Sequence, residues 1–136
     1  MIGVVVVTHG QLANELVNAA QTIVGELPQF VAVSIGWHDE PTLAREAIAK
    51  AIARVQGPAG ALILTDMFGG TASNLGLTFL ETNRVEILTG VNLPMLIKLA
   101  HLQSSSDLVG VAREMREVGR NAIWVASDLL HAEAKQ

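Results

Sequence analysis

The stretch Val4 to Leu16, VVVVTHGQLANEL, decides the fold. Four consecutive valines read as a strand buried on both faces, because a strand with one wet face would alternate apolar and polar residues. The run breaks at Thr8-His9-Gly10, and from Leu12 the apolar residues Leu12, Leu16, Ala19, Ala20 and Ile23 recur at helical spacing until Gly25 ends the segment. A buried strand over 2–8 is thus expected to pass directly into a helix, with a histidine at the join.

The same unit repeats downstream. Residues 30–35 (FVAVSI) read as a second strand and 42–55 as a second helix closed by Gly57-Pro58; 60–65 (GALILT) read as a third strand, with a helix over 71–81. Residues 84–89 (RVEILT) give a fourth strand, followed by helices over 93–101, opened by Pro94, and 107–119. Strands alternating with helices imply right-handed crossovers and a mainly parallel sheet covered on both faces, an α/β domain of three layers. The last apolar segment, 122–126 (AIWVA), reads as a short edge strand of either direction or as a strand that pairs with another subunit. Residues 1–130 form the expected domain, and 131–136 (HAEAKQ) read as a frayed tail.

Composition narrows the function. At 136 residues the chain suits one domain, burying roughly two-thirds of its unfolded surface. Half the residues are apolar and 16% are charged, which excludes a disordered chain. Nine basic against thirteen acidic residues supply no electrostatic footprint for nucleic acid. The absence of cysteine excludes disulfides, zinc–thiolate sites and cysteine nucleophiles, and fits a reducing compartment. The first strand begins at Ile2 with no basic leader, and no apolar run approaches the ~18 residues of a membrane span. The expectation is a soluble cytoplasmic protein. Nucleotide fingerprints (GxGxxG, GxxxxGK[ST]) and metal-ligand spacings (HExxH, paired carboxylates) are absent, so no cofactor and no metal are expected.

In an open α/β sheet, ligands bind where the carboxyl ends of the strands meet helix N-termini. His9 lies at that edge, and so do Trp37 and His38 after the second strand, Asp66, Gly69, Gly70, Thr71 and Ser73 after the third, and Asn92 after the fourth. His9 has a plain reading as a turn-capping histidine. Asp66, placed at the end of another central strand, supports a different one: a carboxylate on one ring nitrogen fixes the tautomer and leaves the lone pair of the other to attack an electrophile. Asp66 by itself could equally cap the following helix, and Gly69-Gly70 by itself is an ordinary turn. Beside His9, the glycines, the Thr71 hydroxyl and the helix start make an anion cradle. His38 reads either as a second group of this edge or as a solvated loop histidine, and Trp37 as a docking rim or as cover for the sheet.

Taken together, VVVVTHGQLANEL, LTDMFGGTASN and GVNLPML, in this order and at this spacing, resemble the IIA component of the mannose family of the bacterial phosphoenolpyruvate-dependent sugar phosphotransferase system. The likeness runs to about residue 125. It implies a phosphocarrier whose histidine takes a phosphoryl group from the phosphocarrier protein HPr and passes it to a IIB protein. His9 would be the acceptor through Nε2, and Asp66 would hold its Nδ1–H. Thr71 would bond the phosphoryl oxygens with amides near Gly69 and Gly70, and Asn92 would frame the site. The resemblance further implies a homodimer that exchanges an antiparallel C-terminal edge strand, and contact with a membrane only through transporter components. Ala72 departs from the family pattern, which commonly has proline there. The chain ends at Gln136 without a IIB domain, so the IIB partner is expected to be separate. Alternatives left open are a regulatory phosphohistidine protein that handles no sugar, a module binding phosphorylated metabolites without covalent chemistry, and a relative serving dihydroxyacetone kinase.

Overall fold

A computed structural model describes residues 1–36, 38–102 and 107–134. The chain runs β1 (Gly3–His9), α1 (Leu12–Val24), β2 (Phe30–Ile35), α2 (Pro41–Val55), β3 (Ala61–Thr65), α3 (Thr71–Leu77), β4 (Val85–Thr89), α4 (Leu93–His101), α5 (Leu108–Asn121) and α6 (Ala126–Ala134). Four parallel strands lie in the order β2-β1-β3-β4. The valine run is therefore central, and its pleat explains why every position is apolar. Val4 and Val6 pack with Ala13, Val17 and Ala20 of α1, Leu96 and Leu99 of α4, and Val111 and Met115 of α5. Val5 and Val7 pack with Ala44, Ile48 and Ile52 of α2 and Ala72 of α3 on the other face. Sandwiched between two helical layers, the strand has no wet side on which a polar residue would be favoured.

The connections fix where a site can form. From β1 the chain steps to β2 through α1, then reverses across the sheet to β3 through α2. A right-handed crossover that reverses direction must change face, so α1 lies on one side and α2 and α3 on the other. The loops leaving β1 and β3 consequently diverge, opening a crevice at the carboxyl ends of these two neighbours. His9 ends β1, and Asp66 follows β3.

Two sequence expectations change. The helix expected over 71–81 stops at Leu77, after which Thr78, Phe79 and Leu80 donate to the carbonyls of Leu75, Gly76 and Leu77, the tighter i→i−3 pattern. The terminal strand expected at 122–126 is absent among the described residues, and the sheet is wholly parallel. The Ile123 amide reaches back to the Arg120 carbonyl at 3.4 Å, and the Val125 carbonyl accepts from Asp128 and Leu129. The segment thus spends backbone groups on the end of α5 and the start of α6 rather than on a ladder. Helix α6 continues through the first residues of the expected tail, to Ala134.

Candidate active site

The site is built on the place where β1 outruns β3. Val7 pairs with Thr65, the last residue of β3, so the His9 amide, which points the same way two residues later, meets no strand. The Asp66 carboxylate takes it: Oδ2 accepts from the His9 N–H at 3.0 Å, and the same oxygen lies 2.8 Å from His9 Nδ1. Oδ1 accepts from the Met67 N–H at 3.0 Å. One carboxylate thereby continues the β1–β3 ladder with side-chain atoms and orients the ring.

The pair sits at the surface without being bathed in water, the side chains being 24% (His9) and 15% (Asp66) exposed. Burial pushes the Asp66 carboxyl upward and is the largest single influence, but the His9 amide, the His9 ring and the Met67 amide together outweigh it and hold the carboxyl below the ordinary aspartate range. An ionised Asp66 only accepts hydrogen bonds, so Nδ1 carries the ring proton and the lone pair of the neutral ring is on Nε2. Replacing Asp66 by asparagine is expected to slow chemistry at Nε2 by about 10²-fold and to cost about 2 kcal/mol at neutral pH. Because the folded carboxyl titrates below the unfolded one, the stabilisation is present above the unfolded pKa and is lost as pH falls through the folded value. Urea melts over an acid series should therefore show the Asp66→Asn deficit shrinking toward low pH.

The turn before His9's helix is fixed from both sides. The buried Thr8 Oγ1 accepts from the Ala13 N–H at 2.6 Å, and the Gly10 N–H donates to the Ile35 carbonyl at 2.8 Å. Gly10 lies at φ 58°, the left-handed region that lets the strand turn into α1 within two residues.

Across the crevice, Gly70 packs on the ring. A Cβ there would stand 2.6 Å from His9 Cε1 and 3.0 Å from Nε2. Gly70 is also the N-cap of α3, so the start of that helix adjoins the Nε2 edge, with Thr71 exposed at its first position. The Gly69 amide is engaged elsewhere, donating to Ser73 Oγ at 2.8 Å.

Asn92 sits on the same rim but is spent on the fold. Its side-chain oxygen accepts from the Met95 N–H at 3.2 Å, capping α4, and its amide donates to the Gly119 carbonyl at 3.1 Å. His38 lies on an exposed turn after β2, next to Asp39, whose carboxylate accepts from the Gly36 N–H at 2.7 Å; neither joins the His9 pair. Trp37 lies outside the described residues. Sequence reasoning assigned no role to Ser73, although a serine three residues after a helix cap is a spacing that reaches back to the turn. It placed Phe68 on this edge without a role and passed over Met67; both stand exposed in the Asp66 loop, Phe68 at 73%.

Among the described residues no group of three or more metal-ligating side chains occurs, and no helix is long and apolar enough to cross a membrane.

Comparison with known proteins agrees with this geometry. The family model EIIA-man, described as PTS system fructose IIA component, matches residues 3–115. The chain is 27% identical over 131 residues to the PTS system fructose-specific EIIA component of Bacillus subtilis, covering 96% of this chain and 90% of the relative. It is 29% identical over 133 residues to the mannose-specific EIIAB component of Escherichia coli K12, where the match covers 90% of this chain and 39% of the longer protein. Among solved structures, the mannose/sorbose specific IIA subunit from Enterococcus faecalis superposes with a TM-score of 0.81 at 26% identity, covering 91% of this chain and 93% of that one. With its family model spanning most of the chain and both site loops, the protein belongs to the mannose-type IIA components of the sugar phosphotransferase system.

Proposed function

We propose that this chain is a phosphocarrier in which His9 Nε2 accepts a phosphoryl group from the phosphohistidine of an HPr-like donor and then yields it to a IIB protein. The observation that carries this reading is the 2.8 Å contact between His9 Nδ1 and Asp66, which puts the lone pair on the ring edge facing Gly70 and the start of α3. In the transfer, the donor's N–P bond breaks and its ring leaves with the electron pair, while the Nε2 lone pair forms the new N–P bond. His9 keeps its Nδ1 proton, and the positive charge developing on its ring is met by the Asp66 carboxylate. The phosphoryl group passes with its charge spread over three equatorial oxygens, so little covalent work is asked of the protein. The Gly70 and Thr71 amides at the start of α3 and the Thr71 hydroxyl are the donors proposed for those oxygens. Transfer onward to IIB is the same displacement in reverse.

Partner docking is supported by Met67 and Phe68, apolar and exposed in the loop that carries Asp66, with Leu12 exposed at the start of α1. Solitary exposed apolar residues are ordinary, but two on the Asp66 loop and one opening the helix after His9 suit a protein partner.

The homodimer is a further part of the proposal. Ile123, Trp124 and Val125 are all exposed, Ile123 at 78%, and among the described residues the outer edge of β4 has no strand beside it. Two open clefts of about 270 and 250 Å³ run along that edge, between β4 residues such as Glu86 and Leu88 and the Arg116 face of α5. An apolar strand from a second copy would cover both features at once.

The experiment is incubation of the chain with phosphoenolpyruvate, enzyme I and HPr, followed by intact-mass measurement and site mapping under alkaline conditions. The expected result is a single acid-labile phosphoryl group on His9. Labelling elsewhere, or none, would refute the assignment.

A further inference from the structure

We propose that Ser73 is the positioning residue of the His9 site: its buried hydroxyl fastens the Gly69-Gly70 turn so that the Gly70 backbone stays against the imidazole and holds Nε2 in one orientation. This rests on the reading of His9 as the acceptor.

The four helix starts on this rim are secured differently, that of α1 by the buried Thr8 hydroxyl, which accepts from the Ala13 N–H. Helices α2 and α4 each carry a proline in their first positions, Pro41 and Pro94, and α4 is capped besides by Asn92. Helix α3 has neither a proline nor a cap side chain, and its cap residue is a glycine. It is also short, seven residues, and preceded by Gly69 at φ 91°, a conformation that costs glycine little to leave. Left to backbone preferences this turn is loosely held, yet it is the one that packs on the imidazole.

Ser73 supplies what is missing. It is fully buried, its Oγ accepts from the Gly69 N–H at 2.8 Å, and its hydroxyl proton is directed at the Gly70 carbonyl at 3.3 Å. The same carbonyl takes the Asn74 N–H at 2.9 Å. One hydroxyl therefore ties the residues on either side of the Gly69–Gly70 peptide to the body of α3. Since a Cβ on Gly70 would come within 2.6 Å of the ring, the Gly70 backbone forms one wall of the imidazole's slot, with Asp66 as the other. Loosening the turn loosens that wall while leaving Met67, Phe68 and the docking rim unchanged in composition. The effect belongs to the bound, reacting geometry and not to partner affinity.

Ser73→Ala, made in the full chain, tests it. The expected result is a fall of about tenfold in the rate of uptake from saturating phospho-HPr, with the half-saturating donor concentration unchanged. The His9 ring signals in nitrogen-15 NMR should broaden by exchange, and the Gly69 amide should lose its protection from solvent hydrogen exchange. Full rate in Ser73→Ala would overturn the inference, as would a slowed variant whose His9 ring signals are those of the parent. Should the variant fail to fold, the parent chain still decides: a Gly69 amide that exchanges as fast as an open one excludes the clamp. Failure of the phosphocarrier reading looks different, because the parent itself then takes up no phosphoryl group while the Gly69 and His9 signals still report on the clamp.

Discussion

Replacing His9 by alanine is expected to abolish phosphoryl uptake from phospho-HPr while leaving the fold in place. The chain has no cysteine, and its other histidines lie in unlike settings. His101 Nδ1 meets the Ile97 carbonyl at 2.8 Å within α4, His38 lies on a solvated turn, and His131 lies in α6. None of these has a carboxylate to fix its tautomer among the described residues. The variant isolates chemistry from folding because Asp66 does not depend on the ring alone. It still accepts the backbone amides of residue 9 and Met67, so the β1–β3 join persists. The loss of one charge-assisted hydrogen bond should lower stability by about 2 kcal/mol, visible as a shifted but still cooperative urea melt. His9→Gln, which restores a polar side chain without a comparable nucleophile, should be equally inert. Acid-labile label on the alanine variant would exclude His9 as the acceptor.

Gly70→Ala should match Asp66→Asn in its effect on the rate, lowering it at saturating donor by about 10²-fold, and should cost about the 2 kcal/mol of the His9–Asp66 hydrogen bond it breaks. Backbone strain is not the reason: Gly70 sits at φ −103° and ψ 178°, extended backbone that any residue adopts. The reason is that the added methyl would arrive 2.6 Å from His9 Cε1. The backbone cannot retreat easily, since the Gly70 carbonyl is held by Asn74 and Ser73. Relief must come from turning the imidazole, which breaks the 2.8 Å contact with Asp66 and swings Nε2 off the line of attack. Uptake kinetics beside a thermal melt separate the outcomes, and an alanine variant that works at the parent's rate would show that the ring does not need this wall.

Most of this arrangement is legible in the sequence because it follows from local pattern and topology. The valine run has one physical reading, a strand covered on both faces, and alternation with helices then puts the strands in parallel and their carboxyl ends on one rim. From there His9 and Asp66 fall at the ends of two strands on one rim, and that these strands are neighbours is what the structure adds. What escapes is anything decided by a particular backbone group. Ser73 engages the Gly69 amide, and Asn92, besides capping the helix that Asn92-Leu93-Pro94 announces, reaches the Gly119 carbonyl; neither contact follows from a residue pattern. Ala122 to Ala126 misleads for a different reason. Isoleucine, tryptophan and valine favour strands, but a strand needs a partner edge, and within the single chain these residues join two helices instead. Local preference names a conformation that only another surface could satisfy.

The central seat of β1 has a mechanical meaning. Its amides are bonded to neighbours on both sides and its side chains are locked between two helical layers, so the segment bearing the reactive ring belongs to the last part of the molecule to open. On the proposed reading, a partner that meets this ring presses on a strand seated in the middle of the sheet. The strand beneath the imidazole is as durable as the global fold itself, and adaptation falls to the loop across from it.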